Sequence, residues 1–396
     1  MTSGEILELA KKISIQLEKA DYAGYDPYDG LESRLFRCLP GYGLRLPQLV
    51  WIQLIKRLPI NLRRALQVPS GRNSKAIALC ASALLRLSRL WPPCADQATE
   101  LLEWLQHNSS QTPRGLAWGY SFAWRSRSFF VARDTPNAIC TIFAGEAFLD
   151  AYFSMGKAVD LETARSAGLF LQSQIVEAGV RQAFIRYVPS SETRVHNVIL
   201  LGAGFLARLG AVLDESGLCE LARQLVGYSA SRQRSDSSWA YGEDSHHGWI
   251  DNFHTGYNLV GLRRYALHSG DHSFDLALER GYEYWDRTFG RSDGAPPYYA
   301  DRDYPYDVHS AAQGIITYLE LEDLDRDAFA KAGRMAEWAF RNLLSPHGYF
   351  YYQKHRFYTN RIPYTRWSQA WMLAALTRLL ERSSANLALA PRAKVK

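Results

Sequence analysis

Three histidines recur at matching places in a repeated pattern, and imidazole is the side chain best suited to move protons near neutral pH. They stand in the segments RVHN, DNFH and DVH, as His196, His254 and His309. Each lies beside the start of a strongly apolar stretch, at the end of a loop that is rich in polar and aromatic residues. If the apolar stretches are helices of a closed ring, matching places face one axis. We therefore predict an acid–base site at these three histidines.

The residues around the histidines suit the removal of a proton from the carbon next to the carboxylate of a sugar acid. This reaction needs a base, an acid on the other face, and cations that neutralise the carboxylate. Tyr241 is a fourth acid–base candidate. Arg125, Arg194 and Arg366 are candidates to hold carboxylates. The other predicted substrate-binding residues are aromatic and amide side chains, namely Trp124, Tyr187, Asn197, Trp249, Asn252, Tyr299, Tyr306, Tyr358, Tyr364 and Trp367.

The favoured hypothesis is thus epimerase- or lyase-type chemistry at C5 of a uronate, but two other functions stay open. Paired carboxylates could hydrolyse a glycosidic bond, and Asp251 and Asp307 are the best pair because each shortly precedes a recurring histidine. Hydrolysis needs carboxyl groups about 5 Å or about 6.5–9.5 Å apart, and Asp is also common as the cap of a helix. Alternatively, the aromatic and arginine side chains could bind a glycan without turnover.

A long repeat predicts the elements that position these residues. Five loops rich in aromatic and polar residues each pass into an apolar helix. Their endpoints are 60, 57, 55 and 58 residues apart, at Asn137, Asn197, His254, His309 and Trp367. One more step back reaches the segment SGRNSK, where another apolar helix begins. The chain therefore contains six units of nearly equal length.

Each unit holds two helices of different character. WSQAWMLAALTRLL and NVILLGAGFLARLG are apolar nearly all round, whereas ESGLCELARQLVGY and DRDAFAKAGRMAEWAF have one polar face. An apolar circumference indicates a helix buried on every side, and a polar face indicates an outer helix. The sequence predicts an all-α fold, an (α/α)6 toroid of six helical hairpins preceded by an N-terminal helix. The segment PQLVWIQLIKRL is expected to be the outer partner of the first unit.

The repeat also sets the predicted boundaries. Residues 1–40, an N-terminal helix and the segment DPYDG, are expected to pack on the ring. Residues 41–385 are expected to form the toroid, and residues 386–396 a flexible basic tail. Because all inner helices run in the same direction, the loops before them meet at one end and form a cup. These loops have about 12 to 20 residues, and loops longer than ordinary helix–helix links are commonly functional.

The amino-acid composition of the chain limits the kinds of molecule that it is expected to bind. The 396 residues carry a formal net charge of +6, which is too mild to indicate nucleic acid but fits an anionic glycan. The five Cys residues are far apart and no HExxH motif occurs, so we expect no metal, no cofactor and no disulfide framework. The N-terminus lacks the apolar core of a signal peptide, and no stretch approaches about 18 uncharged apolar residues. We therefore expect no transmembrane segment and a cytoplasmic location. A homodimer is a possible assembly.

The chain resembles the superfamily of α/α toroids that includes six-hairpin glycosidases, polysaccharide lyases, hexuronyl C5-epimerases and terpenoid cyclases. Three segments, GYDPYDG (24–30), GWIDNFHTGY (248–257) and RWSQAW (366–371), resemble a poorly characterised bacterial family found in surface-polysaccharide gene neighbourhoods. This narrower resemblance implies a role in bacterial surface-polysaccharide biosynthesis and spans almost the whole chain.

A second resemblance points to another chemistry. QRSDSSW (233–239) is similar to the Gln-to-Trp repeat of squalene–hopene cyclases, with a Ser in place of the usual Gly and one clear copy. The acidic DxDD motif of those cyclases is absent, because Asp301, Asp303 and Asp307 have the wrong spacing. A terpenoid-cyclase-like enzyme is therefore a lesser alternative, and the segment is expected to be structural.

Overall fold

Twelve of the helices form two concentric rings, which confirms the predicted (α/α)6 toroid. The computed structural model describes residues 2–126 and 130–389, with side chains up to residue 384. The inner helices are α4 (Ser74–Leu87), α6 (Ala138–Met155), α8 (His196–Leu213), α10 (Asn252–Ser269), α12 (Val308–Glu320) and α14 (Trp371–Leu389). The outer helices are α1 (Ser3–Lys19), α5 (Cys94–His107), α7 (Ala158–Ser173), α9 (Ser216–Ala230), α11 (Asp275–Phe289) and α13 (Ala328–Leu343).

The inner helices are cylinders buried nearly all round, as their sequences predict. Each packs on the next one along the chain, and α14 packs on α4 to close the ring. Polar side chains begin four of them, because Asn73, Asn137, Asp251 and Asp307 accept hydrogen bonds from backbone N–H groups of the first turn. By length and composition α6 and α8 could cross a membrane, but most of their residues are buried inside the ring.

The two ends of the chain meet in the sixth unit. The amphipathic helix α1 packs on α14 and buries Ile6, Leu9 and Ile13 there. The prediction that PQLVWIQLIKRL is the outer partner of the first unit is therefore wrong. That segment belongs to α3 (Arg45–Arg57), while the outer partner of α4 is α5. The last inner helix continues to Leu389, beyond the boundary expected at residue 385, and residues 390–396 of the predicted tail lie outside the described residues.

The helix α3 and the short helix α2 (Arg34–Arg37) lie at the loop end of the ring instead of in its wall. Trp51 of α3 stacks on Phe36 of α2 with ring centroids 4.6 Å apart. Its indole N–H donates to the Gly30 carbonyl at 2.9 Å, in the 3₁₀ turn Asp29–Glu32. Below α3, the Arg125 guanidinium donates to the Gln48 side chain. These contacts place α3 across one side of the cup.

The long loops contain short antiparallel strands. They form three hairpins and one three-stranded sheet in the order β7-β8-β9. The strands are β1 (Ser110–Thr112), β2 (Gly115–Ala117), β3 (Trp124–Arg125), β4 (Phe130–Val131), β5 (Ile175–Gly179), β6 (Gln182–Ile185), β7 (Tyr306–Asp307), β8 (Gln353–Lys354) and β9 (Thr359–Asn360). In the sheet, Asp307 of β7 faces Gln353 of β8, which faces Asn360 of β9.

A repeated hydrogen bond fixes the loops to the inner helices. The first N–H groups of α6, α8, α10 and α12 have no partner inside their own helix. Each donates to the carbonyl of a tyrosine in the next loop along the chain, at 2.9 to 3.2 Å. The accepting residues are Tyr187, Tyr241, Tyr298 and Tyr352. The same bond that satisfies a helix start therefore sets the position of one aromatic residue per loop.

The segment DPYDG enters the ring as a buried ion cluster. The Arg366 guanidinium binds both carboxylate oxygens of Asp26, at 2.6 and 2.8 Å. Arg63 donates to Asp29 Oδ1 at 2.6 Å and to the Asp26 carbonyl at 2.8 Å. All four side chains are buried. The cluster joins the N-terminal segment to the residues just before α14.

We predict that Asp26→Asn lowers the free energy of unfolding by about 3–5 kcal/mol, because it leaves the buried Arg366 charge without its counterion. Denaturant unfolding followed by circular dichroism measures the change. Glu8→Gln is the control, since it breaks an exposed ion pair with Lys11 and should cost about 0.5 kcal/mol or less. Equal effects of the two variants would show that the buried pair does not stabilise the ring.

Candidate functional site

The loop end of the ring holds a cavity of about 920 Å³. Its floor is made by the second residue of each inner helix, or of the π-helical turn (Thr365–Ala370) that leads into α14. These six residues are Lys75, Ile139, Asn197, Phe253, His309 and Arg366. Equivalent positions of the repeat therefore face a common axis, but the three predicted histidines do not share one such position, and His196 is absent from the lining.

Most of the residues predicted from the sequence line this cavity. One wall comes from the loops before α8 and α10, and the opposite wall comes from α3. The predicted residues in the lining are Trp124, Arg125, Tyr187, Asn197, Tyr241, Trp249, His254, Tyr299, His309, Arg366 and Trp367.

His254 has the geometry of a general base. Its Nδ1 lies 2.8 Å from Asp251 Oδ2, and the other oxygen of Asp251 caps α10 by accepting from the His254 backbone N–H at 2.8 Å. The carboxylate therefore orients the ring and places the proton on Nδ1, which leaves Nε2 as the basic nitrogen. One fifth of the His254 side chain is exposed, and it lines the cavity.

His309 lies deeper and is held between two aromatic rings. It stacks on Phe253 and on Trp371, with ring centroids 4.4 and 4.5 Å apart. Its Nε2 lies 2.6 Å from the hydroxyl of Tyr257, and its Nδ1 has no hydrogen-bond partner among the described residues. Burial holds the pKa of His309 well below its usual value, and the positive charges of Lys75 and Arg366 act in the same direction. The imidazole is therefore neutral.

Lys75 is an ammonium group in an aromatic environment on the floor of the cavity. Its Nζ lies 4.3 Å from the ring centroid of Phe143, 5.3 Å from that of Tyr257 and 5.2 Å from that of Trp371. Burial, reinforced by the nearby Arg366, lowers the pKa of Lys75 to about 7. It forms no ion pair or hydrogen bond through Nζ with any residue that the structure describes. Among the described residues, its ammonium group is held by cation–π contacts.

Arg366 supplies a second buried cation beside Lys75. Its guanidinium faces Asp26 and also lies over the rings of Tyr120 and Trp367, 5.1 and 5.3 Å from their centroids. The Asp26 carboxylate raises the pKa of Arg366 above its usual value, although burial acts in the opposite direction. The group therefore stays charged at every physiological pH.

Aromatic side chains form the wall above His254. Tyr241 stacks on Trp249 with centroids 4.2 Å apart and an interplanar angle of 12°. The edge of Tyr241 also meets His254, with centroids 4.7 Å apart. Burial raises the pKa of Tyr241 well above its usual value, so the phenol is neutral. A flat, apolar surface with hydroxyl groups at its margin suits the face of a sugar ring.

All charged side chains in the described lining of the cavity are basic. This lining contains five permanent or titratable cations and four histidines, but no Asp or Glu. The two aspartates predicted as a hydrolytic pair lie behind the surface, almost completely buried. Asp251 caps α10 and binds His254, while Asp307 caps α12 and accepts from Gln353 and Trp367. Their function as facing acid and base is therefore not supported, since all their oxygens serve local hydrogen bonds.

His196 and Asn252 are predicted site residues that do not reach the cavity. They are the first residues of α8 and α10, and one residue of offset turns a side chain by about 100° around the helix axis. His196 Nδ1 lies 3.3 Å from Ser229 Oγ of α9, and Asn252 accepts from the indole N–H of Trp285 in α11 at 3.0 Å. Both side chains thus face the outer ring, and burial lowers the pKa of His196 to about 4.

Arg194 and Tyr364 are held by other partners. The Arg194 guanidinium binds Glu243 and Tyr228 at 3.3 Å each, on the outside of the cup. Tyr364 is fully buried beneath the guanidinium of Arg63, which lies 4.8 Å from the ring centroid. Neither side chain lines the cavity.

Tyr306 and Tyr358 lie on loops but away from the cavity. Tyr306 packs against Trp338 of the outer helix α13, with centroids 5.0 Å apart. Tyr358 stacks on His355 at the exposed turn between β8 and β9. Tyr306 pairs with Lys354 in the three-stranded sheet, whereas Tyr358 lies in the turn that precedes β9, and neither side chain lines the cavity.

Among the lining residues that sequence reasoning missed, three have side chains that could take part in binding or proton transfer. Lys75 occupies the second position of α4, so its register with His309 could have identified it. Tyr257 lies one helical turn after Phe253 and faces the same side of α10. Tyr28 belongs to DPYDG, and its hydroxyl accepts a hydrogen bond from Lys56 of α3 at 2.6 Å. No pattern in the sequence predicts that last contact, because it joins two elements outside the repeat.

The described residues offer no group of three or more His, Cys, Asp or Glu side chains that could hold a metal ion. The Gln-to-Trp segment ties neighbouring hairpins together. Gln233 donates to the Ala277 carbonyl in α11 at 2.9 Å, and the Trp239 indole donates to the Ser229 carbonyl in α9 at 2.8 Å. These are structural contacts, as the sequence suggested.

The fold is shared with solved structures of enzymes that act on carbohydrates. A cellobiose 2-epimerase from Bacillus thermoamylovorans has a TM-score of 0.62 and 12% identity, over 78% of this chain and 88% of that one. An unsaturated glucuronyl hydrolase specific for heparin has a TM-score of 0.65 and 14% identity, over 97% and 99%. A polysaccharide lyase has a TM-score of 0.61 and 10% identity, over 97% and 99%. These likenesses confirm the α/α toroid, while no family model and no curated protein matches the chain.

We predict that Lys75→Met stabilises the protein, since it replaces an unpaired buried amine by an apolar side chain. At a pH below about 7 the free energy of unfolding should rise by about 1–3 kcal/mol. The gain should shrink as pH rises from about 7 towards 10.5, because the unfolded lysine keeps its proton there and the folded one has lost it.

Denaturant titrations at several pH values measure the effect of Lys75→Met. Lys331→Met is the matched control and should lower stability, because the ammonium of Lys331 binds Asp286 and Asp325 at 2.6 and 2.7 Å. A loss of stability in Lys75→Met that resembles the control would show that Lys75 has a counterion.

Proposed function

We propose that this protein acts on an anionic carbohydrate and removes a proton from the carbon next to its carboxylate, as a uronate epimerase or lyase does. One observation carries the proposal. A carboxylate-oriented histidine, His254, lines a cavity whose described walls hold five cations and no carboxylate. Such a cavity attracts a negative substrate and stabilises the additional negative charge that proton removal creates.

His254 Nε2 would take the proton from C5. The electron pair left on carbon spreads into the substrate carboxylate, which becomes an enediolate with two negative charges. Asp251 stabilises the imidazolium that forms, as a buried carboxylate does in other histidine dyads. Lys75 and Arg366 lie on the same floor and would hold the carboxylate oxygens, because charged hydrogen bonds are strongest in a cavity that excludes water.

The second half of the reaction involves the pair of Tyr257 and His309. For epimerisation, the Tyr257 hydroxyl would give its proton to C5 from the other face, and the Nε2–H of His309, 2.6 Å from the phenol oxygen, would donate a hydrogen bond to the phenolate that forms. For a lyase, the enediolate would expel the oxygen at C4 and form a double bond between C4 and C5. Burial raises the pKa of Tyr257, so the phenol keeps its proton at neutral pH, and this is the proton that C5 in an epimerase, or the expelled oxygen in a lyase, would take.

The proposed setting is surface-polysaccharide metabolism in the bacterial cytoplasm. Its support is the resemblance of segments 24–30, 248–257 and 366–371. All three segments carry residues of the cavity, because Tyr28, His254 and Arg366 lie in them in turn.

Proton abstraction is tested in heavy water with a panel of uronate-containing oligosaccharides, and NMR reports deuterium at sugar C5. Wild type should incorporate deuterium, and His254→Ala should not. Asp251→Asn should lower the rate about 10²–10⁴-fold while it keeps the helix cap, since Asn caps as well as Asp. His196→Gln is the control, because that histidine contacts Ser229 outside the cavity, and it should retain exchange.

The outcomes separate the proposed functions. Deuterium at C5 of the product without a new double bond identifies an epimerase. Ultraviolet absorbance from an unsaturated uronate product identifies a lyase. New reducing ends without deuterium or unsaturation would overturn the proposal in favour of hydrolysis. Binding of the oligosaccharides without any turnover would indicate that the protein binds glycans and is not an enzyme for them.

We also predict that affinity for a uronate falls as pH rises through about 7, because Lys75 then loses its charge. Calorimetric titration of wild type at about pH 6 and about pH 8.5 measures the change, which should approach tenfold. The affinity of Lys75→Arg at about pH 8.5 should equal the affinity of wild type at about pH 6, since Arg does not titrate in this range. If the affinity of Lys75→Arg depends on pH as that of wild type does, a group other than Lys75 causes the pH dependence.

A further inference from the structure

One stretch of the chain combines many basic and apolar residues with a complete lack of acids. Residues 33–95 contain no Asp or Glu. Within its first part, residues 33–67, the cations are Arg34, Arg37, Arg45, Lys56, Arg57, Arg63 and Arg64. This part contains α2 and α3, the two helices that lie outside the rings at the loop end.

Helix α3 has apolar residues on two opposite faces. Gln48, Ile52 and Ile55 are buried against the protein. Leu46, Val50 and Leu54 follow one another at intervals of four residues, so they form a stripe along the other face. Their exposed fractions are 70%, 58% and 48%. An outer helix of a globular protein normally shows a polar face to water, and this one shows a leucine-rich face instead.

The exposed stripe continues on both sides of α3. Further exposed apolar residues of the same stretch are Leu35, Leu39, Leu44, Ile60 and Leu62. The turn between β8 and β9 lies beside them, because the Asn360 side chain donates to the Leu58 carbonyl at 3.1 Å. This turn carries Arg356 and Phe357, and Phe357 is 87% exposed. Exposed apolar surface of this extent on one side of a protein marks an interaction surface.

We propose that this face, residues 34–62 with the turn at 355–358, docks on an anionic lipid bilayer. Leucines and a phenylalanine among arginines are the composition of helices that lie in the plane of a membrane interface. Arg34, Arg45, Arg57 and Arg64 are exposed, and each adds attraction near an anionic surface, whereas Arg37 pairs with Glu32 and Arg63 is buried against Asp29. The docked face needs no change of fold, because its side chains are already exposed.

Charge favours a bilayer over a second copy of the chain. A two-fold symmetric dimer places the same patch on both sides of the interface. Its contact would bring together two surfaces that carry only positive charges in residues 33–67, without any carboxylate to pair them. A bilayer with anionic lipids offers both the apolar layer and the opposite charge.

The docked face adjoins the opening of the cavity. Leu46, Val50 and Leu54 of the exposed stripe also line the cavity, as does the exposed Arg57 of the same helix. In the docked orientation the cavity therefore opens at the level of the lipid headgroups. The docking surface is independent of the proposed reaction, since none of its evidence comes from His254 or its neighbours.

Sedimentation with vesicles tests the proposal on the full chain without any substrate. Wild type should sediment with vesicles of phosphatidylcholine mixed with phosphatidylglycerol, and much less with phosphatidylcholine alone. The triple variant Leu46→Glu, Val50→Glu and Leu54→Glu should partition at least about tenfold less strongly. The matched control is Val159→Glu, Leu169→Glu and Leu276→Glu, which changes the same residue types at exposed positions of α7 and α11.

The control variant carries the same added charge as the test variant, so a change of net charge alone cannot separate them. Retained sedimentation of the control with loss in the α3 variant supports docking. Failure of wild type to bind anionic vesicles, or equal loss in both variants, would overturn it. Light scattering is recorded on the same samples, and a wild-type dimer that becomes a monomer in the α3 variant would assign the face to a second copy instead.

Discussion

The buried pair of Asp26 and Arg366 is the interaction on which both the ring and its cavity depend. It joins two residues 340 positions apart and fixes the N-terminal segment against the turn that begins the last inner helix. Burying two charges is expensive unless each finds a counterion with good geometry, and the two-point contact provides it. The pair also fixes the guanidinium at the cavity floor, next to Lys75, which has no such counterion. Of these two cations, Arg366 therefore has a counterion within the protein, and Lys75 has none among the described residues.

Periodicity in the sequence predicted the fold, but it could not predict which residue at each helix start faces the axis. A repeat of 55 to 60 residues shows that helices alternate in two rings. The orientation of one side chain changes by about 100° with each residue, so a recurring histidine can lie at the first, second or third helical position. His196, His309 and His254 occupy these three positions in turn, and only the last two reach the cavity. The second position of α4 holds Lys75, which the search for histidines passed over.

Asp251 and Asp307 also show that sequence spacing alone does not determine the function of a residue. An Asp shortly before a helical histidine predicts both a cap and a catalytic acid, because the spacing is identical for the two functions. Burial decides between them, and burial depends on loops that come from distant units. Likewise, the segment of α3 has the periodicity of an outer helix, but the ring closes with α1 instead. The sequence of α3 could not reveal that its second apolar face stays outside, since periodicity does not tell which neighbour covers a face.

The distribution of acids links the surface to the interior. Every carboxylate near the floor is withdrawn from the lining, since Asp26 neutralises Arg366, Asp251 orients His254 and Asp307 caps α12. The acid-free stretch 33–95 supplies Lys75 at the floor, Lys56 and Arg57 in the wall, and the arginines of the outer face. A positive potential therefore extends from the exterior into the cavity, and such a field concentrates anions along its path. An anionic substrate of the proposed kind would supply a counterion for Lys75, so the buried charge that lowers stability would favour the binding of an anion.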